Sequence, residues 1–141
     1  MTLADDEVRL VCAACPGFVE FVERGELASD QVRVLAQRLL SPIVDAKVDA
    51  LLLGCTHYPF LARTIAEVVG RDVVLVSSAD ETAFGVRSTL IANGTLREGN
   101  PVPPVFLSSG DVEEFARIGA MLLGPELKDV GYWSPHGEKD R

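Results

Sequence analysis

The stretch that most constrains the fold is residues 50–59, ALLLGCTHYP, where a short apolar run stops at a glycine followed by three polar side chains. Residues 50–53 are too few for a helix, so the run predicts a β-strand buried on both faces. Gly54 allows the backbone to turn sharply. Pro59 suits the first turn of a helix predicted over residues 60–69, because proline has no amide hydrogen to lose there. The polar residues therefore lie between the carboxyl end of a strand and the start of a helix, which is where open α/β sheets bind ligands.

The remainder of the chain alternates between predicted strands and helices. Apolar runs predict strands over residues 8–13, 72–76, 105–108 and 130–133, and helical spacing predicts helices over residues 18–24, 30–43, 78–92 and 112–123. Ser29 is the expected cap of the second helix, and Pro42 is expected to kink or end it. Ser78 and Glu81 fit a capping box. This alternation predicts an α/β fold with a mainly parallel sheet and flanking helices.

Composition and charge narrow the functional classes. With 141 residues, of which 48% are apolar and 24% charged, the chain has the size and composition of one ordinary globular domain. Its formal charge of −8 argues against a general nucleic-acid surface or an anionic-membrane surface, because both would repel it. The acidic opening does not look like a secretory signal, and no apolar run is long enough to span a bilayer. A cytoplasmic protein is therefore predicted.

The three cysteines, Cys12, Cys15 and Cys55, are an odd number in a chain without a secretory signal, so they are expected to be free thiols. Cys12 and Cys15 form a Cys-x-x-Cys pair. No second pair of cysteines or histidines exists in the sequence to complete four metal ligands, so a metal site is not predicted.

Residues 54–59, Gly-Cys-Thr-His-Tyr-Pro at a strand-to-helix turn, resemble the glutamate racemases, cofactor-independent enzymes that supply D-glutamate for peptidoglycan. Residues 14–16 (ACP) and 21–25 (FVERG) reinforce the resemblance upstream, and residues 76–82 (VSSADET) reinforce it downstream. It covers nearly the whole chain and weakens after about Asn93. It implies an amino-acid racemase, an isomerase, that acts on glutamate without a cofactor or metal.

The resemblance also implies a fold of two related α/β domains with pseudo-symmetry, one catalytic cysteine in each, and a chain roughly twice as long. The motifs of the family's first half, including a Cys-Asn-Thr segment, do not occur in this sequence. The chain is therefore expected to begin inside the second domain. Residues 1–78 would form the second half of the domain that bears the second catalytic cysteine. Residues 79–141 would return to pack with the missing first domain.

Racemisation without a cofactor needs a base on one face of Cα and an acid on the other, and two thiols meet that need. Cys55 precedes the predicted helix, whose amino terminus favours a thiolate. By resemblance, Cys55 is one catalytic thiol, His57 assists it as a proton partner or electrostatic stabiliser, and Thr56 holds a substrate carboxylate or ammonium group. Glu23 matches a family glutamate that influences protonation at the other cysteine. The plainer interpretations are a buried structural thiol for Cys55, a packed histidine for His57 and a solvated helix residue for Glu23.

Two alternatives to glutamate racemase stay open from the sequence. One is a related racemase that acts on aspartate or a hydantoin, and the other is a non-catalytic remnant that folds or binds a partner. The 141-residue chain is expected to be inactive by itself, because one thiol cannot serve both faces of Cα. The missing first domain would leave an exposed apolar face, through which the chain would form a homo-oligomer or associate with another polypeptide.

Overall fold

A computed structural model describes residues 8–127 and 129–134 of the chain. The elements in these residues are, in chain order, α1 (Phe18–Arg24), α2 (Asp30–Ala46), β1 (Ala50–Leu53), a 3₁₀ helix (Tyr58–Leu61), α3 (Ala62–Val69), β2 (Val74–Ser77), α4 (Ser78–Ala92), β3 (Phe106–Ser108), α5 (Val112–Leu123), a second 3₁₀ helix (Gly124–Glu126) and β4 (Val130–Tyr132). The α-helices and all four of these strands lie close to where the sequence predicts them.

The described residues divide into two compact units. The first comprises residues 8–22 and 26–86, and the second comprises residues 23–25, 87–127 and 129–134. The later boundary between the units falls inside α4, a few residues beyond the boundary at residue 79 expected from the sequence. The roles expected for residues 1–78 and 79–141 stay predictions.

Helices α1, α2 and α3 build the core of the first unit together with the end of β1. Ser29 caps α2 as predicted, because its hydroxyl accepts a hydrogen bond from the amide of Val32 at 3.3 Å. The hydroxyl of Thr64 on α3 donates to the carbonyl of Leu27 at 2.8 Å, which satisfies a polar group that is buried. The apolar side chains buried in this core are Cys15, Phe18, Val22, Val32, Ala36, Leu40, Ile43, Leu53, Leu61 and Ile65.

Strands β1 and β2 form a two-stranded parallel sheet in which Leu53 lies opposite Ser77. The strand predicted over residues 50–53 is therefore confirmed, but its predicted burial on both faces is wrong. Leu53 is buried, whereas Leu52 is 63% exposed. Neighbouring side chains of a strand point to opposite faces, and the described residues cover only the face that Leu53 shares.

The strand predicted over residues 8–13 is wrong, because these residues have no regular secondary structure in the described chain. Arg9 contacts α2 instead, where its Nη2 donates to the carbonyl of Ala46 at 3.0 Å and satisfies the last residue of that helix. A strand requires a neighbouring backbone to complete its hydrogen bonds, and an apolar sequence supplies only suitable side chains.

Helix α2 continues through Pro42 to Ala46, so the proline does not end the helix. Because proline lacks an amide hydrogen, the carbonyl of Arg38, four residues earlier, loses its usual helical donor. The hydroxyl of Ser41 donates to that carbonyl at 3.3 Å and takes the place of the missing hydrogen bond.

In the second unit, β3 and β4 form another two-stranded parallel sheet, with Phe106 opposite Val130. The carboxylate of Asp111 caps α5 by accepting from the amide of Glu114 at 2.9 Å. Leu127 is buried against α5 at Gly119, where an added Cβ would overlap the leucine side chain. Both pairs of strands are parallel, as predicted. Among the described residues, no helix has the length and apolar character needed to cross a membrane.

Candidate active site

The turn after β1 carries a thiol, a hydroxyl and an imidazole, on Cys55, Thr56 and His57. Strand β1 ends at Leu53, and the amide of Gly54 donates to the carbonyl of Leu52 at 3.1 Å, which turns the chain immediately. Cys55 follows in a half-buried position. The carbonyl of His57 then accepts from the amide of Phe60 at 3.1 Å and begins the first 3₁₀ helix. Cys55 is thus mounted at the carboxyl end of a parallel strand, as the sequence predicts.

Thr56 and His57 form a direct pair beside Cys55. Thr56 Oγ1 lies 3.1 Å from His57 Nδ1, so either the hydroxyl donates to the ring or the ring donates to the hydroxyl, depending on the histidine tautomer. The Thr56 side chain is exposed and the His57 side chain is half-buried. The turn therefore presents a thiol, a hydroxyl and an imidazole in three consecutive residues, which are groups able to exchange protons and bind a polar substrate.

The helix predicted directly behind the cysteine begins differently from the prediction. Tyr58–Leu61 is a 3₁₀ helix with Pro59 in its first turn, and the α-helix α3 starts only at Ala62. A single 3₁₀ turn aligns few peptide groups. The helix dipole is therefore weaker at Cys55 than an α-helix starting directly after the turn would make it.

Tyr58 is a residue of the site that the sequence reasoning did not single out. Its hydroxyl donates to the carbonyl of Cys15 at 3.3 Å, and its ring packs edge-on against Phe18 with centroids 5.4 Å apart and an interplanar angle of 77°. Burial raises the pKa of the Tyr58 hydroxyl, and electrostatic repulsion from the sulfurs of Cys15 and Cys55 raises it further. The sequence offered one indication of this role, the tyrosine within residues 54–59. A partly buried tyrosine needs a hydrogen-bond partner for its hydroxyl.

The three cysteines line one cavity of the first unit but occupy different environments. Cys12 is exposed, Cys55 is half-buried and Cys15 is buried. Burial raises the pKa of the Cys15 thiol and so favours its protonated form. The cavity has a volume of about 1130 Å³ and also contacts Tyr58 and the apolar side chains of β1. All three cysteines are free, as predicted. No cluster of three or more metal-ligating side chains occurs in residues 8–127 and 129–134.

Ser78 and Glu23 lie outside the turn that carries Cys55, Thr56 and His57. The Ser78 hydroxyl, expected to cap α4, donates to the carbonyl of Leu53 at 3.3 Å and so ties the start of α4 to the end of β1. Glu23 lies exposed in the last turn of α1 and belongs to the second unit, where its backbone carbonyl accepts from Nη2 of Arg117 at 3.3 Å. Cys55, Thr56 and His57 belong to the first unit.

Comparison with curated proteins decides the family. The chain is 52% identical over 129 residues to glutamate racemase of Acidothermus cellulolyticus, a match that covers 90% of this chain and 49% of that protein. The chain belongs to the glutamate racemase family. Glutamate racemase of Mycobacterium tuberculosis is 44% identical over 126 residues, covering 88% of this chain and 46% of that protein. The chain therefore spans about half the length of the curated glutamate racemases it matches, and no family model matches it.

Solved structures of glutamate racemases have the same fold over the same share of the chain. Glutamate racemase from Thermus thermophilus in complex with beta-chloro-D-alanine superposes with a TM-score of 0.78 at 34% identity, covering 88% of this chain and 47% of that one. Glutamate racemase from Francisella tularensis in complex with D-glutamate gives a TM-score of 0.74 at 30% identity, covering 85% and 45%. These superpositions confirm the α/β fold class that the sequence of this chain predicts.

Proposed function

We propose that this chain is the carboxyl-terminal half of a glutamate racemase and supplies one of the two thiols that interconvert L- and D-glutamate. The observation that carries the proposal is the position of Cys55, at the carboxyl end of β1 within Gly-Cys-Thr-His-Tyr-Pro, in a chain 52% identical to a glutamate racemase. The product would enter peptidoglycan synthesis, as the family resemblance implies.

The proposed chemistry is a balanced proton exchange at Cα of glutamate. One thiolate removes the Cα proton from one face of the substrate, and a thiol on the opposite face delivers a proton to the resulting carbanion. The net change is inversion of configuration, with the two cysteines exchanging protonation states. Cys55 serves one face of Cα, and that face determines whether Cys55 removes the proton from L-glutamate or from D-glutamate.

The second thiol has to come from another polypeptide segment. Cys15 is unsuited to the role, because it is buried and its raised pKa disfavours the thiolate. In the proposal, His57 assists proton transfer at Cys55, Thr56 binds a charged group of the substrate, and Glu23 acts near the cysteine of the other half. The Thr56–His57 contact at 3.1 Å supports a shared role for these two residues.

The test is reconstitution of racemisation from two polypeptides. The 141-residue chain is purified alone and also co-expressed with the amino-terminal half of the Acidothermus cellulolyticus enzyme, and D-glutamate formed from L-glutamate is measured. We expect no turnover by the chain alone and measurable turnover by the pair. Cys55→Ser in the pair should lower the rate by at least about 100-fold, the scale of a lost acid–base group. Cys12→Ser, which changes an exposed cysteine outside the turn, is the matched control and should leave the rate unchanged.

The same experiment separates the alternatives. Racemisation by the chain alone would contradict the two-thiol proposal with a missing first cysteine. Turnover of aspartate or a hydantoin in place of glutamate would assign the chain to a related racemase. A stable complex of the two halves that turns over none of these substrates would identify a non-catalytic binding module.

A further inference from the structure

Tyr58 connects two segments that are 43 residues apart in the sequence. Its hydroxyl donates to the carbonyl of Cys15 at 3.3 Å, and the same carbonyl accepts from the amide of Phe18 at 3.3 Å at the start of α1. The ring of Tyr58 meets the ring of Phe18 edge-on, and Phe18 is only 1% exposed. The ring therefore contacts the first residue of α1, and the hydroxyl contacts the segment that leads into α1, in the same compact unit.

These contacts lie on the far side of the Cys55 turn, where the chain enters the first 3₁₀ helix. Its near side is fixed by β1, through the pairing of Leu53 with Ser77. On the far side, the 3₁₀ helix begins at Tyr58 and ends at Leu61, which is buried in the core. The Tyr58 side chain attaches the start of this helix, and with it the end of the turn, to the core of the unit.

We propose that Tyr58 is a positioning residue, which holds the Cys55 turn against the start of α1 and so fixes how the Cys55 thiol is presented. The inference deepens the proposed function and rests on it for the role of Cys55. Tyr58 acts through the backbone of the turn, by a hydrogen bond and an aromatic contact that both lead away from the thiol towards Cys15 and Phe18.

The test follows alkylation of each cysteine in the intact 141-residue chain. The chain and its Tyr58→Phe variant are treated with iodoacetamide between pH 7 and pH 9.5, and the modification of Cys12, Cys15 and Cys55 is measured by peptide mass spectrometry. Tyr58→Phe removes the hydroxyl and keeps the ring on Phe18. We expect Cys55 to react about threefold faster at every pH, a factor in keeping with the loss of one long hydrogen bond, with an unchanged pH midpoint.

Thr64→Val provides the matched control, because it also removes a side-chain hydroxyl that donates to a backbone carbonyl of the first unit, at 2.8 Å to Leu27. We expect it to lower the stability of the unit without changing the rate at Cys55. An equal acceleration in both variants would show that any loss of stability exposes Cys55 and would overturn the proposal. An unchanged alkylation rate at Cys55 in Tyr58→Phe would also overturn the proposal. So would a shift in the pH midpoint of Cys55 alkylation without a faster rate at high pH. Alkylation of the buried Cys15 as fast as that of the exposed Cys12 would overturn it as well. None of these readouts depends on racemisation, so a failure here is distinct from a failure of the proposed function.

Discussion

Two cysteines with the same chemistry have opposite environments in the first unit. Cys15 is 6% exposed, and burial raises its pKa. Cys55 is half-buried on the turn after β1, beside the Thr56–His57 pair. Burial and position thus separate a buried thiol from a partly exposed one, and the Cys-x-x-Cys spacing of Cys12 and Cys15 carries no information about this difference.

The raised pKa of Cys15 predicts a loss of stability at alkaline pH. The folded pKa lies above the ordinary value of 9.0, so unfolding releases a proton more readily as the pH rises. The stabilisation is complete below the unfolded pKa and is lost as the pH rises through the folded pKa, with a slope of at most about 1.4 kcal/mol per pH unit. Urea denaturation between pH 7 and pH 10 measures this loss as a fall in the free energy of unfolding. The fall should be smaller in Cys15→Ala and unchanged in Cys12→Ala. An equal fall in both variants would contradict its assignment to Cys15.

The sequence could predict the three turn residues because they are consecutive and follow a recognisable apolar run. It could not predict the role of Tyr58, because its partners Cys15 and Phe18 lie about forty residues earlier and are brought close only by packing. The destination of the Ser78 hydroxyl was missed for a similar reason. A capping box is a local pattern, whereas the carbonyl of Leu53 is a partner from another strand.

At the scale of elements, the helices were easier to predict than the strands. Helix α2 carries an apolar stripe at Val32, Ala36, Leu40 and Ile43, and this stripe is buried. A strand depends on a neighbour that its own sequence does not specify, which explains why residues 8–13 are irregular despite their apolar composition. It also explains why Leu52 on β1 is exposed, since side-chain composition does not determine whether both faces are covered.

Helix α2 offers a prediction at Pro42. Pro42→Ala restores the amide that bonds to the carbonyl of Arg38, so we expect the free energy of unfolding to rise by about 1 kcal/mol, after allowing for the greater entropy of the unfolded chain. Ser41→Ala should cost about 0.5–1 kcal/mol in the native background, because its hydroxyl serves the same carbonyl.

The double variant is the control for this account. With the amide restored by Pro42→Ala, loss of the Ser41 hydroxyl should cost less than in the native chain, and a double-mutant cycle in urea measures the difference. Strictly additive effects would show that Ser41 does not compensate for the proline.

At the scale of the whole molecule, the distribution of apolar side chains is uneven. Ten of the buried apolar residues lie in the first unit, and Leu127 is buried in the second. Helix α4 has no buried residue, although it carries Phe84 and Ile91, which are 66% and 49% exposed. Phe84 belongs to the first unit and Ile91 to the second, and each is exposed in its own unit. Exposed apolar surface of this kind favours association, and the other half of the proposed racemase is the partner we expect to cover it.

We therefore predict that the chain alone binds a hydrophobic dye and self-associates at micromolar concentration. Replacing Phe84 and Ile91 together by glutamate should reduce the dye fluorescence and shift the sedimentation profile towards the monomer, because it places a charge at each of these exposed apolar positions of α4. Val102→Glu is the control, since Val102 is 60% exposed in the proline-rich segment between α4 and β3 and lies outside that helix. Dye binding and sedimentation that respond equally to both changes would show that net charge, and not the α4 surface, drives the association. A native chain that sediments as a monomer and binds no dye would contradict the prediction of an uncovered face.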